Sequence, residues 1–187
     1  MKNSVMKMKI YNTLEKQVSP TAVALGYFDG VHIGHQKVLK KTAKFKKEGL
    51  IPTVFTFSSN PKTEIMKIPE KKIFSMGEKQ NAMENLGIEI MYVADFSRIK
   101  NMSAEQFVRE VLFKTLNAKV VICGFNYHFG AGGIADATDL KRICLDYGIT
   151  TKIVNPVLFN KSPVSSTRIR KALLEGNTFE LQNMLRK

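Results

Sequence analysis

The segment Gly26 to Gln36, GYFDGVHIGHQ, constrains this chain more than any other stretch. An apolar run, Thr21 to Leu25, precedes it, and a run with helical spacing, Gln36 to Lys47, follows. The segment reads as strand, glycine-rich turn and helix start. That geometry aims backbone N–H groups at one point at the head of a helix, where an anion is favoured. It also carries His32 and His35, two of the chain's 3 histidines, with Gly34 between them. Two structural histidines at a helix start would share this pattern. A zinc pair is a further alternative, against which stand a spacing wrong for i, i+4 ligands and the lack of a cysteine or third histidine grouped nearby. An imidazole beside a triphosphate can donate to charge developing on departing pyrophosphate, so the chemical reading is a nucleotide phosphate site.

Further along, strands and helices alternate. Strands are expected at Thr21 to Phe28, Pro52 to Phe57, Glu89 to Phe96, Lys119 to Gly124 and Thr150 to Leu158. Helices are expected at Gln36 to Glu48, Met76 to Leu86, Ser103 to about Leu116, Thr138 to Tyr147, Ser165 to Glu175 and Thr178 to Arg186. Gly49, Gly87, Gly148 and Gly176 stop helices, and Ser103 with Gln106 forms a capping box. The continuous apolar strands suit a sheet buried on both faces. The rhythm predicts an α/β fold, a parallel sheet with helices on both faces, and ligands at the carboxyl ends of strands. With 187 residues and no repeat or linker, the chain reads as a single domain, 1–187.

Composition narrows the function. Apolar residues make up 44%, enough for a packed core, and no apolar run approaches a membrane span. The basic N-terminus, MKNSVMKMKIY, lacks the apolar stretch of a signal peptide. Cys123 and Cys144 sit in apolar surroundings and read as small buried residues, so a cytoplasmic location is expected. Net charge is +13. Lys37, Lys40, Lys41, Lys44 and Lys47 fall at helical spacing and read as a solvated face. No aromatic platform is interleaved with them, so no nucleic acid partner is expected. No membrane partner is expected either.

Three more segments fall at strand ends or helix starts. In TFSSNPK, Asn60 before Pro61 is held extended, as in an ordinary Asn-Pro turn, and its amide can face a strand-end cleft. In GFNYHFGAGGIAD, glycines permit close backbone approach, while Phe125, Tyr127 and Phe129 serve either as core aromatics or as a stacking face. Asn126 in the same loop can offer an oxygen to a hard cation. In VSSTRIR, Ser165, Ser166 and Thr167 can cap a helix and leave N–H groups for an anion, with Arg168 adding a positive fork. Arg170, two residues on, points away from Arg168.

These segments resemble the FMN adenylyltransferase (FAD synthetase) module of bacterial bifunctional riboflavin kinase/FAD synthetases. His-x-Gly-His is similar to the signature of the wider nucleotidyltransferase superfamily. The matching stretches are GYFDGVHIGHQ, TFSSNP, EKQNAMENLGIEIMYVADF, SAEQFV, GFNYHFG and SSTRIRKALLEGN, spanning about Thr21 to Leu185. The resemblance implies a Rossmann-like nucleotidyltransferase fold and transfer of AMP from ATP to FMN, with Mg²⁺, yielding FAD and pyrophosphate. It implies catalytic roles for His32, His35 and Arg168, and an ATP site of Gly26, Phe28, Asp29, His32, His35, Ser165, Thr167 and Arg168. Asn60, Tyr127 and Phe129 would lie toward FMN, and Asn126 toward Mg²⁺. The chain departs from the family at Ser59-Asn60-Pro61, where Pro-His-Pro is usual. His128 stands where Arg is frequent, and Gly133 where a basic residue is common. The kinase module and its activity are not expected. A sister nucleotidyltransferase with another phosphate acceptor, such as a pantetheine or nicotinate nucleotide, stays open. So does a non-catalytic flavin- or nucleotide-binding regulator.

Overall fold

The computed structural model describes residues 7–69 and 71–185. Its strands are β1 (Lys9–Tyr11), β2 (Thr21–Leu25), β3 (Ile51–Phe57), β4 (Ile90–Ala94), β5 (Ala118–Gly124), β6 (His128–Phe129), β7 (Ala135–Asp136), β8 (Thr150–Val154), β9 (Leu158–Phe159) and β10 (Ser162–Pro163). Its helices are α1 (Ile33–Ala43), α2 (Pro61–Met66), α3 (Met76–Asn85), α4 (Phe96–Ile99), α5 (Ala104–Gln106), α6 (Ala137–Asp146), α7 (Ser166–Leu174) and α8 (Thr178–Leu185). A π-helical stretch, Phe107–Thr115, continues α5.

The main sheet has 6 strands in the order β1-β4-β3-β2-β5-β8, and every pairing in it is parallel. Along β2, Val23 and Leu25 pack into one apolar cluster while Ala22 and Ala24 pack into another, as period-two alternation requires. Val38 and Leu39 of α1 and Met83 of α3 cover one face. Phe107, Val111 and Leu112 of the π-helical stretch and Leu140 and Ile143 of α6 cover the other. Helices on both faces are thus borne out. A third cluster, Val164, Ile169, Ala172 and Met184, holds α7 against α8.

Strand order places the site. The chain runs outward from β2 to β3 and β4, then returns to β5 on the other side of β2. The order therefore reverses between β2 and β5, and a crevice opens outside their carboxyl ends. GYFDGVHIGHQ leaves β2 there and GFNYHFG leaves β5.

Several boundaries differ from expectation for local reasons. β2 ends at Leu25 rather than Phe28, because Phe28 turns left-handed at φ 56°. α1 begins at Ile33, not Gln36, so both histidines stand at its head. Beyond Ala43 it tightens into a 3-10 turn, Lys44–Glu48, capped by Gly49 at φ 80°. β4 ends at Ala94 because the Asp95 carboxylate accepts from the Ser97 N–H (2.9 Å) and starts α4. β8 ends at Val154, and Leu158 belongs to the β9–β10 hairpin. The Ser103–Gln106 capping box is present, with Ser103 N–H donating to Gln106 Oε1 at 2.8 Å. The expected end of the last helix at Arg186, and Met1 to Met6 of the basic N-terminus, lie outside the described residues.

Among the described residues no helix is long and apolar enough to cross a membrane. Cys123 and Cys144 are buried free thiols; burial pushes them up to about 12 and about 11.

Leu39 is fully buried between α1 and the sheet, and Leu39→Ala is expected to cost about 3 kcal/mol, read as a lower urea midpoint. An unchanged midpoint would contradict the packing of α1 that aims the site.

Candidate nucleotide-phosphate site

The turn after β2 is conformationally demanding. Phe28 (φ 56°) and Val31 (φ 38°) both adopt left-handed backbone without being glycine. Each such residue costs on the order of 1 kcal/mol or more and persists only when its surroundings hold it. Gly30, at φ 75°, has no alternative: a Cβ there would lie 2.8 Å from Ile73 Cγ2. Gly26 donates its N–H to the Phe55 carbonyl at 3.3 Å, which ties the turn's first residue to β3.

Asp29 holds the turn from inside. Its carboxylate, with the residue only 3% exposed, accepts from the backbone N–H groups of Ile73 (3.0 Å) and Phe74 (3.3 Å). It also pairs with the guanidinium of Arg170, whose Nε–H donates to the Lys71 carbonyl at 2.8 Å. The Ser166 hydroxyl donates to the Asp29 carbonyl at 3.0 Å. Asp29 therefore joins the turn to the segment before α3 and to the first turns of α7. Arg170 does point away from Arg168, as its spacing suggested, but toward Asp29.

The two histidines form a stack. Their ring centroids lie 3.6 Å apart at 19°, and Phe28 meets His35 edge-on at 5.3 Å. His32 caps α1 with its own ring: Nδ1 accepts from the His35 N–H at 3.3 Å. That bond requires an unprotonated Nδ1 and leaves the N–H of a neutral ring on Nε2. A Cβ on Gly34 would sit 3.1 Å from the His32 ring, so glycine makes room for the cap. His35 Nδ1 is buried with no hydrogen-bond partner. Burial lowers His32 to about 4. It also holds His35 well below its usual range, with the charges of His32 and Lys79 adding to the effect. Both rings are neutral near pH 7.

α7 begins beside this pair. Ser165 caps it by accepting from the Arg168 N–H at 3.3 Å, and Thr167 is exposed on its first turn. The heads of α1 and α7 thus converge on one turn, and both offer N–H groups and positive dipole ends. Arg168 itself reaches elsewhere. Its guanidinium donates to the carbonyls of Phe159 (2.7 Å) and Ser162 (3.2 Å), pairs with Glu180 (2.7 Å) and lies over the Phe159 ring. In this arrangement it pins the β9–β10 hairpin to α8.

The remaining sequence-predicted residues are less closely gathered. Asn60 is extended, but its amide oxygen caps α2 by accepting from the Lys62 N–H at 3.0 Å, with Pro61 as the first helical residue. Phe129 is buried and packs on Phe107, with ring centroids 5.7 Å apart. Tyr127 stacks on Phe129 at 5.8 Å, and its burial pushes the phenol pKa up. Phe125, 48% exposed, is the open aromatic of that loop, beside the exposed Asn126.

Sequence reasoning missed two participants. One is Arg170 as the partner of Asp29. The other is Lys79, buried on α3, whose Nζ donates to Thr56 Oγ1 at 2.9 Å. Its signal was present: Lys79 and Met83 are one helical turn apart on the face that α3 buries.

Two outcomes follow from this geometry. The folded chain keeps His32 neutral down to about pH 4, whereas an unfolded chain takes the proton near 6.5. Between those values the unfolded state binds more protons, so stability falls as pH falls. The loss from His32 alone is about 3 kcal/mol, read as a falling urea midpoint between pH 7 and pH 4. A midpoint flat across that window would contradict the buried neutral ring. Arg170→Ala leaves a buried carboxylate short of its cation and is expected to cost about 2 kcal/mol. Asp29→Asn in the same chain recovers part of that loss.

Comparison with known proteins places this geometry in a family. The FAD synthetase family model matches residues 14–168. A bifunctional riboflavin kinase/FMN adenylyltransferase of Listeria monocytogenes is 34% identical over 167 residues, covering 87% of this chain and 52% of that protein. A protein of the same organism named FAD synthetase is 30% identical, covering 91% of this chain and 70% of that protein. The chain spans about half the length of the bifunctional relatives it matches. A solved structure from Streptococcus pneumoniae, described as a macrolide-efflux protein, is 33% identical with a TM-score of 0.83, over 95% of this chain and 61% of that one. A pantoate-beta-alanine ligase from Francisella tularensis shares the fold alone, at 14% identity and a TM-score of 0.57, over 94% of this chain and 84% of that one. The chain belongs to the FAD synthetase family.

Proposed function

We propose that this chain transfers the AMP part of ATP to FMN, forming FAD and pyrophosphate. The observation that carries the reading is the meeting of the heads of α1 and α7 over the stacked, neutral His32–His35 pair, outside the carboxyl ends of β2 and β5. The family supplies the acceptor.

An oxygen of the FMN phosphate attacks the α-phosphorus of ATP in line. The new P–O bond forms as the bond from that phosphorus to the bridging oxygen breaks, and the electron pair leaves with pyrophosphate. No covalent enzyme intermediate is needed, so catalysis is positioning and charge stabilisation. Neutral imidazole N–H groups on His32 and His35 and the free N–H groups of both helix heads would donate to the phosphate oxygens as charge builds on the leaving group. Gly26, Phe28 and Asp29 shape that cradle, Ser165 and Thr167 close it from the α7 side, and Arg168 supports that side by holding the β9–β10 hairpin to α8. The FMN side would be formed by the turn at Asn60 and the segment carrying Tyr127 and Phe129, whose rings back it from the core.

Mg²⁺ would enter on the triphosphate and neutralise its charge. Exposed Asn126 would offer that ion a hard amide oxygen. ATP and FMN are then the partners, with no nucleic acid required, and the free buried thiols Cys123 and Cys144 support a reducing, cytoplasmic setting.

The test is an assay of purified protein with FMN, ATP and Mg²⁺, following FAD by chromatography together with pyrophosphate. FAD and pyrophosphate in equal amounts are expected. His35→Ala should lower turnover by about 100-fold or more. Arg168→Ala should also lose turnover, because it frees the β9–β10 hairpin beside α7. No FAD from wild-type protein that binds ATP would overturn the acceptor, and full turnover in both variants would overturn the assigned chemistry.

A further inference from the structure

We propose that Lys79 is a positioning residue for the phosphate site: its buried ammonium latches the strained turn between β2 and α1 to the end of β3. Burying an ammonium is costly, and a methionine such as Met83, one turn along, would satisfy the apolar stripe of α3 at no such cost. The place of Lys79 is set by a capping box at the head of that helix. Ser75 Oγ accepts from the Glu78 N–H at 3.3 Å, and Glu78 Oε2 accepts from the Ser75 N–H at 2.8 Å.

From there the ammonium grips both sides of Tyr27. It donates to Thr56 Oγ1 at 2.9 Å, and the Thr56 hydroxyl donates onward to the Tyr27 carbonyl at 2.9 Å. With a lone pair of Thr56 taken by the ammonium, the hydroxyl proton is directed at that carbonyl. The same Nζ lies 4.4 Å from the centroid of the Tyr27 ring, a cation–π contact in a desolvated setting. Tyr27 immediately precedes Phe28, the first left-handed residue of the turn, whose ring in turn meets His35. Asp29 and Arg170 hold the turn from the α7 side, so Lys79 and Thr56 hold it from the β3 side. The charge of Lys79 also reaches His35, where it adds to burial and His32 in keeping that ring neutral.

The nucleotide arm of the test rests on the proposed function; the imidazole arm does not. Lys79→Met, Thr56→Val and the double variant are compared with wild type. Equilibrium ATP binding is one readout, and the ¹⁵N imidazole spectrum without nucleotide is the other. Each single variant should weaken ATP binding by about tenfold and raise the ATP KM more than it lowers kcat. The double variant should lose no more than the worse single, because both act through one relay. His32 and His35 should depart from the wild-type imidazole pattern in all three. A wild-type pattern with wild-type affinity in Lys79→Met would overturn the proposal, as would a double loss equal to the product of the singles. Should Lys79→Met fail to fold, Thr56→Val decides alone, and wild-type behaviour in it overturns the proposal. Should wild-type protein bind no ATP, the functional reading fails while the imidazole spectra still test the latch.

Discussion

Asp29 keeps its carboxylate inside the protein, where a charge survives only if it is well satisfied, and the site depends on how that is done. Two backbone N–H groups from the segment before α3 and the guanidinium of Arg170 supply the partners. None of these is local in sequence; Arg170 lies 141 residues away. The contact forms only when the turn after β2, the approach to α3 and the first turns of α7 meet. Satisfying that one charge therefore assembles the cradle, and the strain at Phe28 and Val31 is the conformational cost of making it. The latch at Lys79 is the counterpart on the β3 side.

The histidine pair follows the same logic. A charged imidazole at the heads of two helices would meet two positive dipole ends and another ring at stacking distance. Burial and that neighbourhood leave neutral rings with N–H groups to donate. A neutral donor attracts a polyphosphate less strongly in the ground state than a cation would. What it adds is direction, and its worth grows as charge accumulates on the departing group. Long-range attraction then falls to the lysines of α1 and the 3-10 turn after it, of which Lys37, Lys40, Lys44 and Lys47 are exposed as their spacing suggested while Lys41 is half-buried.

The alternation of strands and helices and the capping box at Ser103 were legible in the sequence, because each is written in local spacing or cap chemistry. A shared rim for GYFDGVHIGHQ and SSTRIR followed from their places at a strand end and a helix start and from the family resemblance. Ends of elements were less so. Phe28 and Leu158 continue apolar runs yet leave the sheet, since a left-handed residue and a hairpin respectively override propensity. The Asp29–Arg170 pair was invisible because no local rule links a turn to a helix so far along the chain. Lys79 was half legible: its helical position beside Met83 marked it as buried, but its partner Thr56 comes from another strand. Arg168 shows the reverse problem. Its sequence context suits a phosphate ligand, while its three-dimensional surroundings engage the fork with Phe159, Ser162 and Glu180.

The most direct measurement of the central claim is a structure of this protein bound to a non-hydrolysable ATP analogue. The account predicts that the β- and γ-phosphates rest against the imidazoles of His32 and His35 and the first-turn N–H groups of α1 and α7, with the Asp29–Arg170 pair intact. Phosphates bound elsewhere, such as along the lysine face of α1, or a cradle that forms with that pair broken, would contradict it.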